Sequence, residues 1–477
     1  MLKALVVALE HGIKSSLFNC QMCGQCILTY TQLHCPMNCP KGLRNGPCGG
    51  TLEGRCEVYP DRACVWMEIR SAEARANNRQ YPVPPVHAPV QPALFAESSY
   101  LNLVSGRDRA TRRPQPYLEL TPARLQPTPV GSGRFEAALR RGEFVVTTEC
   151  HSPRDENGLK RVHRFGRAIQ GRIAAVNTTS NVGGRATLPS RRTGAILQNE
   201  YGLEAIVQVC GRDVTAPAFL EELAATQAAG FRNLFCLTGD WNRSAHPAAE
   251  ADAAPAHRRE RWLAPIAERY FPMDAVQMLY EARVLRESGR SACLPDHTLT
   301  HRLFLGGAIN PYSTPREFVI ARLRQKLAAG LDFAQTQIVT ETHEFARFHA
   351  ALRQAGLADR LYLLASVPVV TSLKMLDLMT GLAGVRVDPA FAERLRAAPD
   401  IAAAGLEAAL VIGRSLRTLG VQGVHLMPFG ADGAQIAALA EALQESPAPP
   451  PAPKPDSLSA LLAGLVEVRR PAPAGAV

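Results

Sequence analysis

No apolar run in the chain approaches the roughly 20 residues that cross a bilayer, which argues against a membrane-spanning protein. The opening, MLKALVVALEHGIKSS, has a lysine and a short apolar stretch. Glu10 and His11 break that stretch and no small-residue cleavage site follows, so it does not read as a signal peptide. Aromatic residues are scarce, 6% of 477, and the arginines are scattered. The basic patch with interleaved aromatics that a nucleic-acid binder needs is therefore missing. The net charge of +10 reads as solvated surface that also helps to attract an anionic ligand. The chain has no G-x-S-x-G elbow, no H-E-x-x-H and no P-loop lysine motif, so hydrolase and kinase chemistry lack support. These absences predict a cytoplasmic protein with neither nucleic acid nor membrane as partner.

Cysteine is what the sequence has in excess, and it is concentrated. Eight of the twelve cysteines lie between residues 20 and 64: Cys20, Cys23, Cys26, Cys35, Cys39, Cys48, Cys56 and Cys64. The first three form C-x2-C-x2-C, which brings three thiolates within reach of one metal centre. In a reducing compartment such clusters bind metal more often than they form disulfides. The spacing suits a [4Fe–4S] cluster completed by a more distant cysteine, and the remaining thiols could hold zinc or a second cluster. Spacing alone does not say which cysteines share a site.

The cysteine block predicts a small metal-binding domain over residues 1–76, with a short helix before Cys20 and an apolar, charged stretch from Cys64 to Ala76. Residues 77–133 are rich in proline and read as an extended connector draped over a neighbour. From 134 to 446 short apolar segments alternate with amphipathic ones. Strands are expected at Phe144–Glu149, Ile173–Thr178, Ala205–Cys210, Asn233–Thr238, Phe304–Ile309, Phe333–Ile338, Tyr362–Val367 and Gly423–Pro428. Helices are expected at Ala218–Ala229, Pro315–Ala329, Thr342–Ala355 and Ala434–Leu443. Eight such units fit an α/β fold of the (β/α)8 TIM barrel type. An open doubly wound sheet is the alternative, and the lack of a G-x-G-x-x-G after any strand argues against its dinucleotide-binding form. Residues 447–477 read as a proline-rich linker and a short helix at Leu458–Val468.

Reactive groups of a barrel sit at the C-terminal ends of its strands. That rule selects Glu149, Thr178, Gln208, Asp240, Asn310, Gln337 and His425. Glu149 and Asp240 are carboxylates ending apolar strands, where burial can push a pKa up toward a general-acid role. Asp240 could equally cap the next helix. His425 reads as a satisfied core histidine more readily than as a ligand, and Lys326 as a surface lysine. Gln337 could read the edge of a planar ring or simply line a polar rim.

Residues 134–445 resemble the methylenetetrahydrofolate reductase family, flavin-binding (β/α)8 barrels. The resemblance lies in TTECHSPR, GLEAIVQVCGRD, FRNLFCLTGD, KLAAGLDFAQTQ and GVHLMPFG. Residues 1–76, with CPMNCPKGLRNGPCGG, look like the cysteine-rich domain that accompanies this reductase in some bacteria. The resemblance implies Glu149 as general acid toward the folate N10, and Asp240 near both flavin and pterin. It implies Gln337 against folate, and Thr178 and Lys326 against FAD (FMN stays open). Gln208 stands where better-known members have a histidine near the flavin. It also implies a folate substrate, and electrons from NAD(P)H or from an electron-donor protein through the metal domain. Methyl-group catabolism in the oxidative direction and a non-catalytic scaffold subunit are the competing readings. A homo-oligomer stays open.

Overall fold

The computed structural model describes residues 2–115, 129–241, 266–289 and 302–445. Eight parallel strands close on themselves in sequence order: β1 Val145–His151, β2 Ala175–Thr179, β3 Ala205–Cys210, β4 Asn233–Leu237, β5 Phe304–Ile309, β6 Phe333–Ile338, β7 Tyr362–Val370 and β8 Gly423–Phe429. Helices follow the strands and cover the outside, so this is the expected (β/α)8 barrel. Its strands are walled in on both faces, which is why β7 is buried along all nine residues.

Alternation along each strand sends every second side chain into the barrel. The floor is apolar. Val145, Ile206, Phe304, Phe333, Tyr362 and Leu364 pack with Phe135, which rises from the helix Arg134–Arg140 below. The rings of Phe304 and Phe333 stack at 4.9 Å, and Phe135 meets Phe333 edge-on at 5.3 Å. Gly306 is required here, because a Cβ on it would lie 2.2 Å from the Phe333 ring. Above this floor the interior turns polar, and the reactive groups stand on that polar layer.

Several helices start with a side-chain cap. The last, Gly433–Gln444, begins with a reciprocal box in which Asp432 accepts from Gln435 N at 2.9 Å while the Gln435 side chain accepts from Asp432 N at 3.0 Å. Asp432→Ala is expected to cost about 1 kcal/mol. A thermal melt of the variant, read as a modest drop in Tm with activity retained, checks this.

The N-terminal unit holds a 17-residue helix, Leu2–Phe18, longer than expected, and a second helix, Val65–Ala76, where the apolar, charged stretch was read. Between them the cysteine loops carry little regular structure. Trp66 is wholly buried and donates to Leu43 O at 3.2 Å, packing the loops against Phe271 and Phe318 of the barrel. The described part of residues 77–133 touches the barrel and, where an extended chain was expected, holds the short helices Ser99–Ser105 and Arg109–Arg112. Gln325 of the helix Arg316–Ala328 donates to Pro85 O at 2.6 Å, and Gln277 of the helix Ala275–Ser288 donates to His87 O at 2.9 Å. The expected C-terminal helix at Leu458–Val468 lies outside the described residues. Among the described residues no helix is long and apolar enough to cross a membrane.

Candidate active site and cysteine module

Glu149 stands on β1 above the polar layer, its side chain 12% exposed, between two histidines. Its Oε1 lies 3.5 Å from Nε2 of His151, which is half exposed at the mouth, and its Oε2 lies 4.0 Å from Nε2 of the buried His425 on β8. Burial pushes the Glu149 pKa up, but the two histidines beside it, His151 first and then His425, outweigh it and hold the carboxyl below its ordinary value. This corrects the expectation that the barrel mouth raises the pKa of Glu149.

His425 is tied from below as well. Its Nδ1 lies 3.0 Å from Thr147 Oγ1 and 3.2 Å from Gln335 Nε2. Gln335 in turn exchanges two hydrogen bonds with Asn177, 2.7 and 3.0 Å, across the barrel interior. His425 is thus a satisfied interior histidine, as its neighbours in sequence suggested, and it also reaches the candidate acid.

Asp240 follows β4 at the rim, is exposed there, and belongs to a different cluster. Partial desolvation by its surroundings and the nearby Glu57 charge push its pKa up, against the pull of Lys41 and Arg212. Of the two carboxylates read from strand ends, Asp240 is therefore the one shifted upward. Lys41 and Glu57 are almost fully buried and pair at 2.7 Å. Lys41 also donates to Gly239 O at 2.8 Å, and Trp241 N donates to Glu57 Oε1 at 3.1 Å.

The other candidates separate. Gln208, on β3, shares the inward parity of Ile206. Gln337 donates to Ala383 O at 3.2 Å and holds the loop after β7. Asn310 is already engaged, donating to Gly49 O at 3.1 Å and Gly384 O at 3.0 Å. Thr178 faces outward and is fully buried, its hydroxyl 3.0 Å from Ser190 of the helix Ser190–Tyr201, so it does not face the mouth; its neighbour Asn177 does face inward. Lys326 is not a surface lysine. It sits behind β5, donating to Ala308 O at 2.5 Å, and burial together with the Arg322 charge pulls its pKa down to about 7.

The eight clustered cysteines divide into two sets. Cys20, Cys23, Cys26 and Cys35 line one small cavity of about 20 Å³. Cys39, Cys48, Cys56 and Cys64 line a second of about 290 Å³, together with Lys41 and Glu57. All eight are free thiols. Burial pushes Cys23 up to about 11 and Cys39 up to about 12, whereas a hydrogen bond with Cys35 brings Cys20 down to about 7. Among the described residues, no group of three or more Cys, His, Asp or Glu side chains has closed to metal-binding spacing.

The second set sits against the barrel. Cys48 donates to Glu57 Oε2 at 3.2 Å, and the adjoining Gly49 is the residue that Asn310 grips. From the barrel side, Arg269 donates to Cys39 O at 2.6 Å, Pro40 O at 3.0 Å and Met37 O at 2.8 Å. Asn45 donates to the Asp274 carboxylate at 2.9 Å.

A family model described as methylenetetrahydrofolate reductase matches residues 134–258 and 308–442, more than half of the chain. The chain belongs to the methylenetetrahydrofolate reductase family. As a member of this reductase family it is an oxidoreductase, and the matched segments contain Glu149, Asp240, Gln337 and His425. A second model, described as methylene-tetrahydrofolate reductase C terminal, matches residues 1–88, so that unit here stands ahead of the reductase barrel. No curated protein matches the chain. Solved structures that resemble this reductase include an uncharacterised protein from Clostridium thermocellum, described as binding two copies of 5-methyl-5,6,7,8-tetrahydrofolic acid. It is 12% identical, with a TM-score of 0.47 over 66% of this chain and 98% of that one. Tryptophan synthase from M. tuberculosis is 11% identical, with a TM-score of 0.34 over 67% and 98%. At such values neither likeness bears on the reaction.

Proposed function

We propose that this reductase interconverts 5,10-methylenetetrahydrofolate and 5-methyltetrahydrofolate with a bound flavin, and exchanges electrons through its N-terminal unit. The carrying observation is Glu149 on the barrel interior between a solvent-reaching histidine and a buried one. Opening the five-membered ring needs a proton on N10, and closing it needs that proton removed; a positioned carboxyl does both. Glu149 Oε1 faces the mouth beside His151, which gives the proton a route to and from water. Asp240, raised in pKa at the rim, is suited to hydrogen-bond the pterin as a neutral or anionic group. Gln337, at the end of β6, would be the residue that meets the folate.

The inward amide of Gln208 offers a donor and an acceptor of the kind a flavin edge requires, so the residues present fit that group, while Asn177 and Gln335 are committed to each other. FAD is the form the family favours, and when bound it supplies the hydride chemistry. Lys326 contributes to a cofactor site only if its hold on Ala308 O is released.

The two four-thiol sets have the donor chemistry of iron–sulfur or zinc sites. The set around Cys48 would be the one nearer the barrel. Residues 1–76 would form this metal domain, 77–133 its connector and 134–446 the catalytic barrel.

The oxidative direction, in which Glu149 would take the N10 proton as the ring closes, is a second reading. Oxygen-free protein is expected to show flavin absorption that bleaches when methyltetrahydrofolate is added. Protein that never retains flavin overturns the proposal.

A further inference from the structure

We infer that His425 is a positioning residue for Glu149, fixed as the Nε2–H tautomer so that it holds one carboxylate oxygen from below and leaves the other for proton transfer at the mouth. The inference deepens the proposed reaction and rests on it for its kinetic arm only.

The argument starts two residues away. Asn177 Nδ2 donates to Gln335 Oε1 and Gln335 Nε2 donates to Asn177 Oδ1, so the two amides turn only as a pair. In that arrangement the amide nitrogen of Gln335 is what faces His425 Nδ1, at 3.2 Å. A donor facing Nδ1 demands a bare ring nitrogen. The proton of the neutral imidazole must then sit on Nε2, the atom aimed at Glu149 Oε2. Thr147 Oγ1 also lies 3.0 Å from Nδ1, and its own proton is directed to Val424 O at 3.4 Å, so it is Gln335 that requires a bare Nδ1.

The 4.0 Å between Nε2 and Oε2 is longer than a hydrogen bond, as is common for catalytic contacts before substrate closes the site. The titratable groups that face Glu149 are His151 and His425. Those packed on His425 from β1 and β6 are neutral, apart from Glu149 itself. With Oε2 turned toward His425 beneath, Oε1 is the oxygen left to carry the proton, beside His151.

Two measurements test this. Long-range nitrogen–proton NMR of histidine-labelled protein, free of substrate, is expected to show His425 as the Nε2–H tautomer. An Nδ1–H tautomer, or a protonated ring at pH 8, overturns the inference whatever the reaction proves to be. The second compares His425→Gln, whose amide can keep a donor near the Nε2 position, with His425→Phe, which removes it. In the Phe variant the acid limb of kcat/KM for methyltetrahydrofolate oxidation should move up by about 1 pH unit, with the Gln variant close to the parent. A merely structural histidine would lower both rates without moving the limb, and an unmoved limb in a folded Phe variant overturns the inference. If the unmodified protein does not oxidise methyltetrahydrofolate, the proposed function fails and the NMR result still stands or falls by itself.

Discussion

Glu149→Gln should leave the protein folded and able to hold flavin, while turnover between methylene- and methyltetrahydrofolate falls on the order of 10²–10⁴-fold. The substitution is nearly isosteric. The amide keeps an oxygen that can accept from His425 Nε2, so the polar layer of Thr147, Asn177 and Gln335 has no reason to rearrange. What it loses is the ability to hold a proton and release it. The N10 leaving group must then depart unprotonated in one direction, and the attacking N10 must lose its proton to water in the other. Stopped-flow measurement of flavin bleaching by methyltetrahydrofolate, against a flavin titration of the same sample, separates the two effects. Undiminished folate turnover in this variant would remove Glu149 from the mechanism.

Lys41→Met is expected to destabilise the protein by about 3–5 kcal/mol, because it strands the buried Glu57 carboxylate beside Cys48 and near Asp240. The pair sits on the seam between the cysteine unit and the loop after β4, so the unit should loosen from the barrel before the barrel melts. Protease sensitivity within residues 77–115, and an early transition in the melt, are the signs to measure. The double variant Lys41→Met/Glu57→Leu should recover much of the loss, since it removes the stranded charge along with its partner. Acid should act in the same sense. Burial pushes the Glu57 pKa up, but Lys41 and the hydrogen bonds to Glu57 more than reverse this and leave it below its unfolded value. That contribution is fully present above the unfolded glutamate pKa of about 4.3 and fades as pH falls through the lower folded value. A double variant as unstable as the single one would show that the pair does not join the two units.

The barrel was legible because β3, β5 and β6 are short β-rich runs set off by glycine and helix-forming residues, and their bounds coincide with expectation. β7 ran three residues further, since Pro368, Val369 and Val370 continue the strand along β8. The helices Leu373–Thr380, Pro389–Ala397 and Ile401–Thr418 between β7 and β8 went unread. Within the site, the types of residue were easier to name than the directions they face. β2 is buried on both faces, so no alternation of apolar and polar residues marks which way it points. Thr178 was chosen where Asn177 is the inward residue for that reason. The low pKa of Glu149 was only half hidden, because it depends first on His151, two positions along the same strand, and then on His425, 276 positions away in sequence yet held on the neighbouring strand. The division of the cysteines into two sets of four was likewise invisible, because equal spacings do not say which loops fold back on which.

The wedge formed by Gly49 and Gly50 has a consequence for traffic. It approaches so closely that a Cβ on Gly384 would fall 2.5 Å from Gly49 O, while Asn310 clasps both loops. Among the described residues, the grips on the wedge and on Lys41 come from the loops after β4, β5 and β7. One arc of the rim is thereby a wall. Among the described residues the opposite arc, over β8, β1 and β2, is the side on which a substrate would enter, and on that route it would pass His151 before reaching Glu149.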